Sequence, residues 1–123
     1  MSATPPTIHA AESAALKWYA VHVRSNQERN AARFLADRDL ELFLPSYRVR
    51  SKRSDRHVTL TKPLFPGYLF TRIDPKSAAR LQVLKAPGAI RIVGFGGALV
   101  AVQDDTIESL KILVDNGGNQ VRP

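Results

Sequence analysis

The chain has 123 residues, of which 44% are hydrophobic, and it carries a formal net charge of +7. A chain of this length forms one domain and buries roughly two-thirds of its unfolded surface, so it is expected to fold alone. It contains no cysteine, which excludes disulfides and thiolate metal sites, and no apolar run approaches the ~18 residues of a membrane span. We therefore expect a soluble protein with the cytoplasm as its default location.

The first seventeen residues combine Pro5 and Pro6 with several alanines and serines. They lack a basic segment followed by an apolar one, so they do not resemble a signal peptide. We expect a flexible tail over residues 1–17, a folded domain over residues 18–116, and a short terminal segment over residues 117–123.

The domain opens with a strand and a helix. Six of the seven residues 18–24 are aromatic, apolar or histidine, which predicts a strand. Ser25 followed three residues later by Glu28 is a capping-box pattern. It predicts a helix that begins here and ends near Asp39.

A basic hairpin follows the helix. Residues 41–50 return to an extended pattern with a bend or edge position at Pro45, residues 51–56 are polar, and apolar alternation resumes at 58–60. Between Tyr47 and Pro63 there is a single acid, Asp55, and there are six basic residues, which are Arg48, Arg50, Lys52, Arg53, Arg56 and Lys62. Such a cluster attracts phosphates by counterion release. The alternative is a solvated hairpin whose charges protect an exposed edge from aggregation.

Two prolines and a glycine interrupt the apolar, aromatic run of residues 62–70. The prolines cannot donate to a sheet, so they must lie at a strand end or bulge, and Gly67 permits backbone conformations that other residues resist. Tyr68 and Phe70 are two residues apart, which places both rings on one face of the strand that follows. We expect an aromatic face at this strand, with burial in the core as the alternative for Phe70.

A second helix is predicted after this strand. Asp74-Pro75 supplies an N-cap and a first-turn proline, and Pro87-Gly88 ends the helical pattern. The spacing of Ala78, Leu81 and Leu84 predicts that these three side chains point inward.

The last part of the domain contains two short strands and a helix. Residues 90–93 and 99–102 are predicted strands joined by a glycine-rich turn, and Asp104 is the predicted N-cap of a helix that ends at Gly117-Gly118. The inward face of this helix is predicted to carry Ile107, Leu110 and Val114. The resulting order is β-α-β-β-α-β-β-α, an α+β layout with an antiparallel sheet.

Residues suited to catalysis are scarce. His9, His22 and His57 are the three histidines, and no two stand at metal-ligand spacing. Asp104-Asp105 is better explained by the preference of acids for helix N-termini, and the turn at 94–97 lacks the lysine of a phosphate loop. We expect no enzyme, no metal and no cofactor.

Four segments, residues 18–21, 62–70, 86–88 and 93–97, resemble the N-terminal (NGN) domain of NusG-type transcription elongation factors. The resemblance runs from about Trp18 to Pro123, and its specific part is the Pro-Leu-Phe-Pro-Gly-Tyr stretch after a basic hairpin. It implies a four-stranded antiparallel sheet flanked by helices. It also implies binding to the β′ clamp helices of RNA polymerase, bridging of the cleft towards the β subunit, reduced pausing, and contact with non-template or upstream DNA.

The resemblance assigns roles to individual residues. It places at the polymerase-binding patch His22, Phe65, Pro66, Tyr68 and Phe70. The candidate nucleic-acid contacts are Arg24, Arg38 and Lys85, which equally suit ordinary solvated charges, together with Arg50, Lys52 and Arg53 of the basic hairpin. The form of residues 64–66 and the hairpin favour a specialised, RfaH-like paralogue. The motif through which RfaH contacts the β subunit is replaced here by Ala79-Arg80-Leu81.

NusG-type proteins usually continue through a linker into a small KOW barrel that recruits the ribosome or a termination factor. We expect residues 117–123 to be the start of that linker and the barrel to be missing. The expected protein is a monomer that binds polymerase and DNA, does not bind membranes, and does not couple transcription to translation or termination.

Another class of protein offers an alternative. Residues 67–73 resemble the aromatic third strand of an RRM-type RNA-binding module. However, Pro66 stands where that motif has a basic residue, and the added strand and third helix extend beyond a βαββαβ unit. A basic scaffold without a nucleic-acid role is the third possibility.

Overall fold

A four-stranded antiparallel sheet forms the centre of the computed structural model, which describes residues 15–53 and 56–117. Along the chain the elements are β1 (Lys17–Val23), α1 (Glu28–Asp37), β2 (Glu41–Phe43), β3 (Ser46–Arg53), β4 (Arg56–Pro63), β5 (Tyr68–Ile73), α2 (Ala79–Leu84), β6 (Ala89–Ile92), β7 (Gly94–Phe95), β8 (Ala98–Leu99) and α3 (Asp104–Gly117). The central sheet has the order β2-β5-β1-β6, and the predicted α+β class is confirmed. Most of the predicted tail and terminal segment lies outside the described residues.

The alternation along β1 and β5 gives the sheet two different faces. One face packs against α1 and α2 in the main core, whose buried members include Tyr19, Val21, Val23, Leu35, Leu69, Ile73 and Val83. The opposite face carries a smaller cluster in which Ile107 of α3 joins Trp18 and Phe70. Farther along this second face, His22 and Tyr68 are only half-buried. The second face is therefore covered less completely than the first.

The predicted extended segment 41–50 forms two strands, because the chain bends at the fully buried Pro45. β2 pairs with β5 in the central sheet, whereas β3 pairs with β4 in a separate two-stranded hairpin. The Leu64 N–H donates to the Pro45 carbonyl at 2.7 Å, which closes the base of this hairpin. The hairpin is thus an insertion that leaves and rejoins the central sheet at one place.

The predicted capping box at the start of α1 is wrong. The helix begins at Glu28, and its N-cap is Gln27, which makes no side-chain capping bond within the described residues. Asn26 just before it has a φ of 69°, so the chain turns sharply into the helix. The Glu28 carboxylate does not reach back to the helix start, because it is buried and accepts a hydrogen bond from the distant Gly67 N–H.

The predicted inward face of the second helix is also wrong. Asp74 accepts the Lys76 N–H at 2.9 Å in a local turn, so α2 begins only at Ala79. This later start shifts the helical phase, and Val83 is the side chain fully buried in the main core. Leu81 is 63% exposed, and Leu84 and Ala78 are exposed as well.

The final elements lie close to their predicted positions. β6 begins one residue earlier than predicted, β7 and β8 pair with each other in a short ladder, and Val102 makes an isolated bridge to Trp18. Asp104 is the first residue of α3 and not its cap. Ile107 is fully buried as predicted, with Leu110 and Val114 half-buried. No helix in the part of the chain that the structure describes is long and apolar enough to cross a membrane.

Two substitutions in α2 test its helical phase. Val83→Ala removes two buried methyl groups and should lower the free energy of unfolding by about 1–3 kcal/mol. Leu81→Ala should change it by no more than about 0.5 kcal/mol, because that side chain is exposed. Urea unfolding of both variants measures the difference, and a larger loss for Leu81→Ala would contradict the packing described.

Tyr19 should make the fold sensitive to high pH. Burial of the phenol, assisted by the nearby Asp74 carboxylate, raises the pKa of Tyr19 above its ordinary value. A raised folded-state pKa gives stability that is fully present below the unfolded pKa of about 10 and is lost as the pH rises through the folded pKa. The free energy of unfolding should therefore fall more steeply above about pH 10 in the wild type than in Tyr19→Phe. Equal slopes in chemical denaturation would contradict this effect.

Candidate protein-binding patch and basic hairpin

The turn between β4 and β5 is held by hydrogen bonds to both backbone polar groups of Gly67. Its N–H donates to the Glu28 Oε2 atom at 2.8 Å, and its carbonyl accepts the Val23 N–H at 2.8 Å. The φ of Gly67 is 85°, in the left-handed region that favours glycine. The Tyr68 N–H closes the turn by donating to the Phe65 carbonyl at 3.0 Å. We call residues 64–68 the Pro-Gly turn.

Five rings gather on the second face of the sheet beside this turn. We call them the aromatic patch, which consists of His22, Phe43, Phe65, Tyr68 and Phe70. Strand register brings them together, because His22 lies opposite Tyr68, and Phe43 lies opposite Phe70. The His22 and Tyr68 rings are stacked with centroids 4.9 Å apart. The Phe70 ring lies 6.2 Å from Phe43 and meets Phe65 edge-on at 6.2 Å.

The exposure of these rings differs in a way that suits binding. Phe65 is 39% exposed and stands over Phe70, which is only 9% exposed. Phe70 therefore belongs to the core cluster and also supports the patch from below, while Tyr68, His22 and Phe43 are half-buried. Pro66 is exposed next to them. The surface is apolar, and its rings are already packed against one another.

Two basic side chains lie near the patch. Arg91 of β6 is exposed and lies opposite His22 in the strand register. Lys111 of α3 has its Nζ atom 5.8 Å from the centre of the Phe43 ring. Sequence reasoning missed Phe43 and both of these cations, because only the strand pairing and the position of α3 bring them to the patch.

The hairpin has one strongly basic face. Arg48, Arg50 and Lys52 alternate along β3 and are all exposed, whereas Val49 between them is buried. Thr59 and His57 of β4 lie opposite Arg50 and Lys52. Arg53 pairs with Arg56 at the last register position that the structure describes. The predicted hairpin residues are therefore brought together on one ribbon.

The other predicted nucleic-acid residues lie away from β3. Arg24 is exposed at the end of β1, where its backbone N–H donates to the Gly88 carbonyl. The Arg38 guanidinium lies 3.4 Å from the centre of the Phe34 ring, and its Nε donates to Gln82 at 3.2 Å. Lys85 is exposed just after α2. Arg38 thus already serves as an intramolecular link between α1 and α2.

The described residues contain no group of three or more His, Asp or Glu side chains that could hold a metal ion. What they contain is an apolar, ring-lined patch on a sheet and a projecting basic ribbon. Aromatic anchors of this kind are typical of protein interfaces, and basic ribbons are typical of surfaces that meet nucleic acid. This combination of surfaces suits a domain that binds macromolecules.

A family model described as NusG, transcription termination factor NusG, matches residues 16–111. The chain belongs to the NusG family. The transcription termination/antitermination proteins NusG of Chlamydia trachomatis and Chlamydia muridarum are each 28% identical to it, over 76% of this chain and 56% of theirs. The Chlamydia pneumoniae protein of that name is 29% identical over the same shares. The chain thus spans about half the length of the curated relatives it matches.

A solved structure from a study of domain interaction in Thermotoga maritima NusG is similar in fold. It aligns with a TM-score of 0.56 at 24% identity, covering 82% of this chain and 58% of that one. At this identity the likeness concerns the fold, and it agrees with the α+β arrangement of sheet and helices described above.

Proposed function

We propose that this chain is the polymerase-binding domain of a transcription termination/antitermination factor, and that the aromatic patch binds the β′ clamp helices of RNA polymerase. Membership of the NusG family supports the transcriptional role. The observation that carries the proposal is the exposed Phe65 ring standing edge-on over the buried Phe70 ring at the open part of the sheet. No catalytic step is part of this function.

The packing of the patch explains why it suits a helical partner. Aromatic side chains dominate binding energy in many interfaces, and amphipathic helices commonly dock through a few apolar anchors. Because His22 stacks on Tyr68 and Phe65 contacts Phe70, these rings lose little freedom on binding. Arg91 beside the patch adds a positive charge that favours a partner with acidic groups nearby.

The basic hairpin supplies the second part of the proposed function. With Arg48, Arg50 and Lys52 on one exposed face, it would contact upstream or non-template DNA while the patch holds the polymerase. Phosphate contacts of this type position a protein without reading sequence. A domain that holds two parts of the transcription complex would bridge the cleft and reduce pausing. The specialised, RfaH-like assignment within the family stays a prediction.

RNA binding of the RRM type is less well supported. Base stacking requires exposed rings on the central strands of the sheet. Phe70 is largely buried, and its neighbour on β1 is Ala20, which offers no ring. Polymerase binding is therefore the function that the patch supports best.

Removal of a partly exposed ring from the patch should weaken polymerase binding without unfolding the domain. Phe65→Ala and Tyr68→Ala should each raise the Kd for core RNA polymerase by about ten-fold or more, as expected for hot-spot aromatics. Phe95→Ala is the matched control, because that ring is 84% exposed and belongs to β7, outside the patch. The proposal fails if both patch variants bind as tightly as the control.

Neutralising the hairpin should affect DNA and not polymerase. Replacement of Arg50, Lys52 and Arg53 with Ser should reduce crosslinking to upstream DNA in the elongation complex. The salt dependence of DNA binding should also fall, by a slope of about 0.9 for each phosphate that the variant no longer neutralises. A matched control removes the exposed charges of Arg33, Lys76 and Arg80, which lie outside the hairpin and are not among the candidate nucleic-acid contacts. Unchanged DNA crosslinking in the hairpin variant would show that these charges are only solvated.

A further inference from the structure

We propose that Glu28 is a positioning residue for the aromatic patch, and that its buried carboxylate holds the Pro-Gly turn in the conformation that presents Phe65 and Tyr68. The functional part of this inference rests on the proposed polymerase binding. The structural part concerns the free domain and can be tested separately.

The geometry around Gly67 supports this role. Glu28 is only 5% exposed, and its Oε2 atom accepts the Gly67 N–H at 2.8 Å across 39 positions of sequence. The Leu64 and Tyr68 N–H groups of the same turn donate to backbone carbonyls. Glu28 is therefore the side chain that holds the N–H of Gly67, the one residue of the turn with a left-handed φ.

A carboxylate is an expensive group to bury. It costs free energy to remove its charge from water, and this cost is offset only by hydrogen bonds and favourable fields. Glu28 is the first residue of α1, where the helix dipole stabilises a negative charge. The Glu28 side chain does not cap the helix and instead accepts the hydrogen bond from Gly67. An apolar residue would fill the same space at less cost, so the hydrogen bond itself is the property that the position provides.

The orientation of the Gly67 peptide determines where the neighbouring rings point. Glycine has the least restricted backbone, so without the Glu28 bond the peptide that carries the Gly67 N–H would sample other orientations, although the Gly67 carbonyl stays bonded to the Val23 N–H. Phe65 lies two residues before Gly67, and Tyr68 directly follows it. Loss of the Glu28 bond should therefore disorder the rings of Phe65 and Tyr68 and leave the buried Phe70 in place.

The next residue of the same helix provides a matched control. Arg29 donates a hydrogen bond to the Thr61 carbonyl of β4, so it contacts the hairpin and not the Pro-Gly turn. Substitution of Arg29 perturbs the same first turn of α1 and leaves the Gly67 bond intact. Val83→Ala controls for general loss of stability, because Val83 belongs to α2 and is buried in the main core.

The test compares Glu28→Met, Glu28→Gln and Arg29→Met under conditions in which all are folded. The first measurement is the Kd for core RNA polymerase, and the second is amide hydrogen exchange at Gly67 and Tyr68 in the free domain. Glu28→Met should raise the Kd by about ten-fold and speed exchange at Gly67, because a buried donor is left unsatisfied. Glu28→Gln should keep most of the wild-type affinity and most of the protection of Gly67, since its amide oxygen accepts the same hydrogen bond. Arg29→Met should change neither.

Several results would overturn the inference. Wild-type affinity and wild-type protection of Gly67 in folded Glu28→Met would do so, and so would an equal loss of affinity in Val83→Ala at matched stability. If Glu28→Met does not fold, Glu28→Asp, whose carboxylate is one methylene shorter, should show the same faster exchange at Gly67, and normal exchange there contradicts the role. Failure of the wild type to bind polymerase would refute the proposed function, while the exchange data would still decide whether Glu28 positions the turn.

Discussion

The backbone of Gly67 links the Pro-Gly turn to α1 and to β1. Its N–H is held by the Glu28 carboxylate of α1 and its carbonyl by the Val23 N–H of β1, both at 2.8 Å. β5 begins at the next residue, so these two bonds also set where Tyr68 enters the sheet. The aromatic patch depends on this arrangement, because its most exposed ring, Phe65, belongs to the turn that the two bonds fix.

The base of the hairpin lies at the first residue of the Pro-Gly turn. The chain leaves the central sheet at Pro45 and returns at Leu64, where a backbone hydrogen bond closes the insertion. The Pro-Gly turn, which carries Phe65, begins at this same hairpin base, so the basic hairpin and the patch are joined there. This placement gives a physical reason for the two-part function proposed here, in which a NusG-family domain holds polymerase with rings and DNA with charges.

Local sequence patterns predicted the elements whose determinants are local. The β-rich run of β1, the kink at Gly67 and the inward Ile107 follow from residue type and periodicity, and the structure confirms them. Long-range contacts could not be predicted in this way. The capping pattern at Glu28 failed because a partner distant in sequence competes for the carboxylate, and the phase of α2 failed because a local turn at Asp74 delays the helix. Phe43 and Arg91 join the patch only through strand pairing, although the family motif identified the other rings.

Mapping the interface by NMR would show directly whether the aromatic patch binds the β′ clamp helices. A ¹⁵N- and methyl-labelled sample would be titrated with a fragment of the β′ clamp helices. We expect chemical-shift changes centred on His22, Phe65 and Tyr68, with small changes elsewhere. Changes confined to the exposed apolar residues Leu81, Ile90 and Phe95, with the patch unaffected, would contradict it.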